Sequence, residues 1–127
     1  VSISKIMDGR SWLIVENETG QLIGAKSQGW MKNKIPPLLV GGEEVPQDQR
    51  SLNGYVAHTA RPMLVPNVDD ERSGFYKSLS PRIKSELAVP IIHGSHVLGV
   101  INQDSFRKNF FTLEHQRILQ IFIQVDY

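Results

Sequence analysis

Two β-rich apolar runs that meet across Gly94-Ser95 constrain this chain more than any other feature. Glu86-Leu87-Ala88-Val89-Pro90-Ile91-Ile92-His93 leads into the dipeptide, and His96-Val97-Leu98-Gly99-Val100-Ile101-Asn102 leaves it. Glycine at the first central position is what a type II′ turn needs, so the two runs read as a hairpin. Residues 97 to 101 are apolar on both faces, the mark of a central strand covered from both sides. Pro90 cannot donate to a ladder, so its strand should bulge or lie locally unpaired there.

A second hairpin is expected near the start. Ser11-Trp12-Leu13-Ile14-Val15 and Gln21-Leu22-Ile23-Gly24-Ala25 flank a turn in which Asn17 and Gly20 suit the needed backbone. Three segments read as helical. Thr112 is an N-cap with Glu114 in the first turn, and Ile118, Leu119, Phe122 and Val125 follow at helical spacing. Ser51 caps a shorter helix through Tyr55, Val56 and Thr59, stopped by Arg61-Pro62, after which Met63-Leu64-Val65 is a short strand. Residues 1 to 8 read as the tail of a helix, with Ile3, Ile6 and Met7 on one stripe. The order is helix, strand, strand, helix, strand, strand, strand, helix. Meander hairpins of this kind give an α+β fold, an antiparallel sheet with helices packed beside it. Two long irregular stretches, 29 to 50 and 67 to 85, are candidates for function, since loops that long are uncommon in compact domains.

Composition narrows the chemistry. At 127 residues the chain fits one domain, expected to be a piece of a longer multidomain signalling protein because both ends stop abruptly. Its formal charge of +1 and unclustered Lys and Arg argue against nucleic acid. The longest apolar run is too short to span a membrane, and residues 1 to 10 lack the order of a signal peptide, so a cytoplasmic location is expected. The 127 residues hold no cysteine, which removes disulfides, thiolate metal sites, thiol catalysis and thioether-attached cofactors.

Three stretches then resemble a known family in the right order. Asn53-Gly54-Tyr55-Val56-Ala57-His58-Thr59-Ala60-Arg61-Pro62 leads into Met63-Leu64-Val65-Pro66-Asn67-Val68; Glu86-Leu87-Ala88-Val89-Pro90-Ile91 precedes Gly99-Val100-Ile101; Phe110-Phe111-Thr112-Leu113-Glu114 opens the last helix. Together they resemble the GAF domain over essentially the whole chain. The resemblance implies a GAF-like (profilin-like) antiparallel sheet of five to six strands in the order 2-1-5-4-3. It also implies a ligand cavity under the segment joining the third and fourth strands, roughly residues 66 to 86. Cyclic-nucleotide members carry an Asn-Lys pair and a later Phe, three residues, then Asp-Glu. Asn33-Lys34 is present, but neither Phe75 nor Phe106 is followed in that way. Bilin-binding members and the methionine-sulfoxide reductases of this fold use cysteine, so neither activity is carried over.

Candidate ligand contacts are Asp69, Arg72, Phe75 and Tyr76 on the joining segment, Glu86 at its end, and Trp12 and Tyr55 as cavity walls. On one reading the aromatic rings form a lid while Arg72 or an acid orients a small molecule. On the other, Asp69 or Asp70 caps a short helix and Phe75 plugs the core. His93 and His96 flank a turn without a third ligand, so no metal site is expected. No nucleophile–base pair can be assembled from spacing, so no catalytic residue and no enzyme activity are expected. In the last helix Ile121 and Ile123 lie off the main stripe and are candidates for a dimer seam. The chain is thus expected to be a sensor that binds a small molecule non-covalently, dimerises through its terminal helices and signals to an output domain. The alternative is a ligand-free dimerisation module.

Overall fold

The computed structural model describes residues 9–16, 18–29, 36–69 and 82–126. The helix expected over residues 1 to 8 therefore lies outside the described residues. Five strands follow the alternating apolar runs: β1 (Gly9–Val15), β2 (Leu22–Gly29), β3 (Met63–Val65), β4 (Ser85–His93) and β5 (His96–Ser105). They form one antiparallel sheet in the order β2-β1-β5-β4-β3. Among the described residues two α-helices pack against it, α1 (Leu52–Thr59) and α2 (Leu113–Asp126).

The β4–β5 hairpin lies at the centre of the sheet. Gly94 sits at a φ of 61°, as the primed turns require, and His93 pairs with His96 across it. β5 is covered on both sides: Val97 and Val100 face one cluster, Leu98 and Ile101 the other. Pro90 pairs in register with Val100, and the bulge falls one step later, between Ile91 and Ile92. β3 reaches only as far as Ala88, so the proline ring sits where β4 has lost its second neighbour.

The two faces of the sheet carry two cores. On one, α1 lays Leu52, Val56 and Ala57 against Leu13, Leu22, Val65, Ala88 and Val100. Ser51 caps α1 by accepting from the Gly54 N–H at 2.9 Å, and Ala60 ends it in the left-handed region. Gly54 is fixed by space: a Cβ there would lie 1.9 Å from the carbonyl oxygen of Leu39. On the other face α2 buries Leu119 and Ile123 against Leu87, Val89, Ile91, Ile101 and Phe111. Its cap is reciprocal. The Thr112 N–H donates to His115 Nδ1 at 2.9 Å, and the His115 N–H returns to Thr112 Oγ1 at 3.3 Å, so His115 takes the capping-box position.

This placement corrects one expectation. Ile123 is 6% exposed and belongs to the core, not to an outward seam. Leu119 and Ile123 stand four apart and face the sheet, which turns Ile118 and Ile121 to the outside, at 48% and 61% exposed.

Candidate functional site

The α1 side of the sheet is apolar at one end and polar at the other. Side chains alternate along a strand, so Glu86 shares a face with Ala88, and Asn102 and Asp104 share one with Val100. Ala88 and Val100 both pack into the α1 cluster. Register then sets Glu86 opposite Asp104, and Asn102 between Ala88 on one side and Ser11 on the other. All four polar residues are buried: Glu86, Asn102, Asp104 and Ser11. Ser11 extends the row to β2 through a 3.3 Å contact between its hydroxyl and that of Ser27. Asn53 of α1 is buried as well, and among the described residues its Oδ1 finds no hydrogen-bond donor.

A sheet built only for stability would not look like this. Like charges directly opposite each other weaken an antiparallel pair. Rules broken locally in an otherwise consistent fold mark functional positions. The polar floor is rich in acceptor oxygens, which suits a donor-rich or cationic group above it.

The described stems on either side of 70–81 are tied by backbone hydrogen bonds. The Val68 N–H donates to the Lys84 carbonyl at 2.9 Å, the Lys84 N–H to Ser105 at 2.8 Å, and the Asn109 N–H to Pro66 at 2.8 Å. Asn67 Oδ1 accepts from the Asp69 N–H at 3.0 Å, and Arg82 lies 4.2 Å above the Phe106 ring. Asp69 pairs with Lys84 at 3.5 Å on the exposed outer side of these stems, so it stands at the rim. Glu86, the last of the expected contacts, lies in the floor itself. Arg72, Phe75 and Tyr76 lie outside the described residues.

Tyr55 is on the α1 side too, but in a separate open groove of about 380 Å³ with Thr59, Arg61, Pro62 and Met63. Trp12 is a correction. Leu13 points to α1, so its neighbour Trp12 points to α2, where its ring centroid is 6.2 Å from that of Phe122. It cannot share a pocket with Glu86. Among the described residues no group of three His, Asp or Glu could hold a metal ion, and no helix is long and apolar enough to cross a membrane.

The sequence reading overlooked Ser11, Asn53, Asn102 and Asp104. It ends the last strand at Asn102, whereas β5 continues to Ser105 with each of its last four residues buried. The visible signal was a polar run, Asn102-Gln103-Asp104-Ser105, continuing a central apolar strand without a turn residue.

A family model described as GAF domain matches residues 5–124. Solved structures share the fold. A type II free methionine-R-sulfoxide reductase from Thermoplasma acidophilum aligns with a TM-score of 0.76 at 20% identity, over 92% of this chain and 74% of its own. The free methionine-R-sulfoxide reductase from Neisseria meningitidis, solved in complex with its substrate, gives 0.76 at 18% identity, over 94% of this chain and 64% of its own. The GAF domain of an Acinetobacter phosphoenolpyruvate-protein phosphotransferase gives 0.74 at 16% identity, over 94% and 69%. No curated protein matches the sequence with significance. These likenesses overturn the expectation that the chain is no enzyme. Reductases stand beside signalling domains on this fold, so an enzymatic role is open to it. With no cysteine among its 127 residues, such a role would use a group other than a thiol of its own.

Proposed function

Since the chain belongs to the GAF domain family, we propose that it is a regulatory domain that binds a small polar molecule over the floor of Glu86, Asn102, Asp104 and Asn53. The ligand class is an amine, an ammonium compound or another donor-rich molecule, held beneath the segment from 66 to 86. One observation carries this reading: two buried carboxylates, Glu86 and Asp104, oppose each other on the face that α1 covers. A cationic group near them would be attracted to two carboxylates set side by side. Binding there would favour one arrangement of the clasped stems. Through β4 and β5, whose other faces pack on α2, it would shift the last helix and whatever domain follows in a longer chain. Such coupling requires that the ligand bind the two arrangements with different affinity. That one solved relative was crystallised with its substrate supports a fold able to hold a small molecule.

Native mass spectrometry of the purified chain, followed by thermal shift with amines, amino acids and polyamines beside organic acids, tests the reading. A co-purified amine, or a melting point that rises with amine concentration, is the expected result. A rise with organic acids alone would overturn the assignment of ligand class.

A further inference from the structure

The start of α2 is built around one imidazole. The Thr112 N–H donates to His115 Nδ1 at 2.9 Å, and the His115 N–H returns to Thr112 Oγ1 at 3.3 Å. Two aromatic rings hold the imidazole in place. Phe110 stacks on it at 5.9 Å between centroids, 9° from parallel, and Phe111 meets it edge-on at 6.1 Å and 82°. Phe111 is itself buried in the core that holds Leu119, so the ring is set by packing as well as by the cap. The capping-box position is ordinarily filled by glutamate or glutamine, whose oxygens go on accepting throughout the neutral range. Here the acceptor is a ring nitrogen, which accepts only while it carries no proton.

We infer that this cap is a pH-sensitive latch: a proton added to His115 Nδ1 releases the Thr112 N–H and loosens the first turn of α2. The argument is one of donors and acceptors. With Nδ1 accepting, the neutral ring keeps its hydrogen on Nε2, and the extra proton of an imidazolium can go only to Nδ1. Two N–H groups then point at each other, and the bond is lost. The new charge also stands at the N-terminal end of a helix, where the backbone dipole disfavours a cation. The charged side chains on the two elements that hold the ring are Glu114 and Arg117 on α2, and Arg107 and Lys108 on the connection from β5. Glu114 attracts an imidazolium there, and the three cations repel it. The bond is therefore present where the ring is neutral and lost as pH falls through the imidazole range, about 6.5. One residue before Phe110, the Asn109 N–H donates to Pro66 at 2.8 Å, so the stretch that carries the latch also ties α2 to the exit of β3. The latch works with no ligand over the floor, and its test stands apart from the proposed binding.

Thermal melts of wild type and His115→Gln test it between pH 7.5 and pH 5.5, roughly one unit either side of an ordinary imidazole. NMR of the Thr112 amide and the His115 ring accompanies them. Glutamine keeps an acceptor at the capping-box position and does not titrate. His58, His93 and His96 are common to both chains and drop out of the difference. Wild type is expected to lose about 3 °C more than the variant across this range, the size of one lost cap in a domain of this length. The Thr112 amide proton is expected to shift with the same midpoint as the His115 ring in wild type, and to stay fixed in the variant. Parallel melting curves would overturn the inference. So would a Thr112 amide that ignores the titration of the ring, even if the melts diverge. A variant that melts below wild type by the same gap at every pH would reduce His115 to a packing partner of Phe110 and Phe111, and would overturn it too.

Discussion

Glu86 and Asp104 face each other across the β4–β5 ladder, both buried and both on the side of α1. Nothing in the hairpin's packing requires this, since Ala88 and Val100 fill the same face further along with apolar side chains. The pair lines the floor with carboxylate oxygens, and replacing one of them should separate its part in folding from its part in binding. Asp104→Asn keeps the shape and relieves the repulsion. It is expected to leave the melting point within a few degrees of wild type while weakening an amine ligand at least tenfold, about 1.4 kcal/mol. Isothermal titration beside thermal melts of ligand-free protein would measure both. Equal losses of stability and affinity would reduce Asp104 to a folding residue.

Gly54 tests how α1 is seated over that floor. Alanine is a better helix former by about 1 kcal/mol, yet its Cβ would meet the Leu39 carbonyl oxygen at 1.9 Å. Gly54→Ala is therefore expected to destabilise the chain by about 2–3 kcal/mol, read by urea denaturation. A stabilised variant would show that the segment around Leu39 yields easily.

The facing of α2 has an equally direct check. Leu119, fully buried in the second core, should cost about 2–5 kcal/mol when changed to alanine. Ile118→Ala, one residue away but 48% exposed, should change the stability of the monomer by no more than about 0.5 kcal/mol. Denaturant midpoints at low protein concentration, where association does not contribute, distinguish them.

Acid should loosen the loop before α1. Glu44 Oε1 accepts from the Gly42 N–H at 2.9 Å. That bond chiefly holds the carboxylate below its ordinary value of 4.5, with a bond from its own N–H next and His58 and Arg50 adding to them. A depressed value in the folded state stabilises the fold above the unfolded-chain value, and the contribution fades as pH falls through the folded one. Between pH 5 and pH 3, roughly the range around a free glutamate, the wild type should lose more melting temperature than Glu44→Gln. Parallel slopes would show that the Gly42 contact adds nothing.

These cases also show what could be read from residues alone. The central place of β5 and the caps at Ser51 and Thr112 were legible, because turn chemistry and two-residue alternation are local signals, whereas the strand order followed from the family resemblance. The inward side of α2 was not. Apolar side chains stand on nearly every side of that helix, so periodicity finds a stripe without telling which stripe meets the sheet. Trp12 was misplaced for a related reason: alternation separates it from Leu13 but does not say which of them lies under α1. The polar floor escaped because its members come from β1, β4, β5 and α1, far apart in sequence, and only the ladder register brings Glu86 to Asp104.

The clasp between Val68 and Lys84 has a consequence for how such a domain changes over generations. The backbone hydrogen bond between them helps fix where the chain leaves the sheet after β3 and where it returns before β4. Doubling the length of a loop between fixed ends costs only about 0.6 kcal/mol in closure entropy. The stretch between the stems is therefore a replaceable cassette. Its sequence and length can drift while the strands, already paired and packed, keep the same floor.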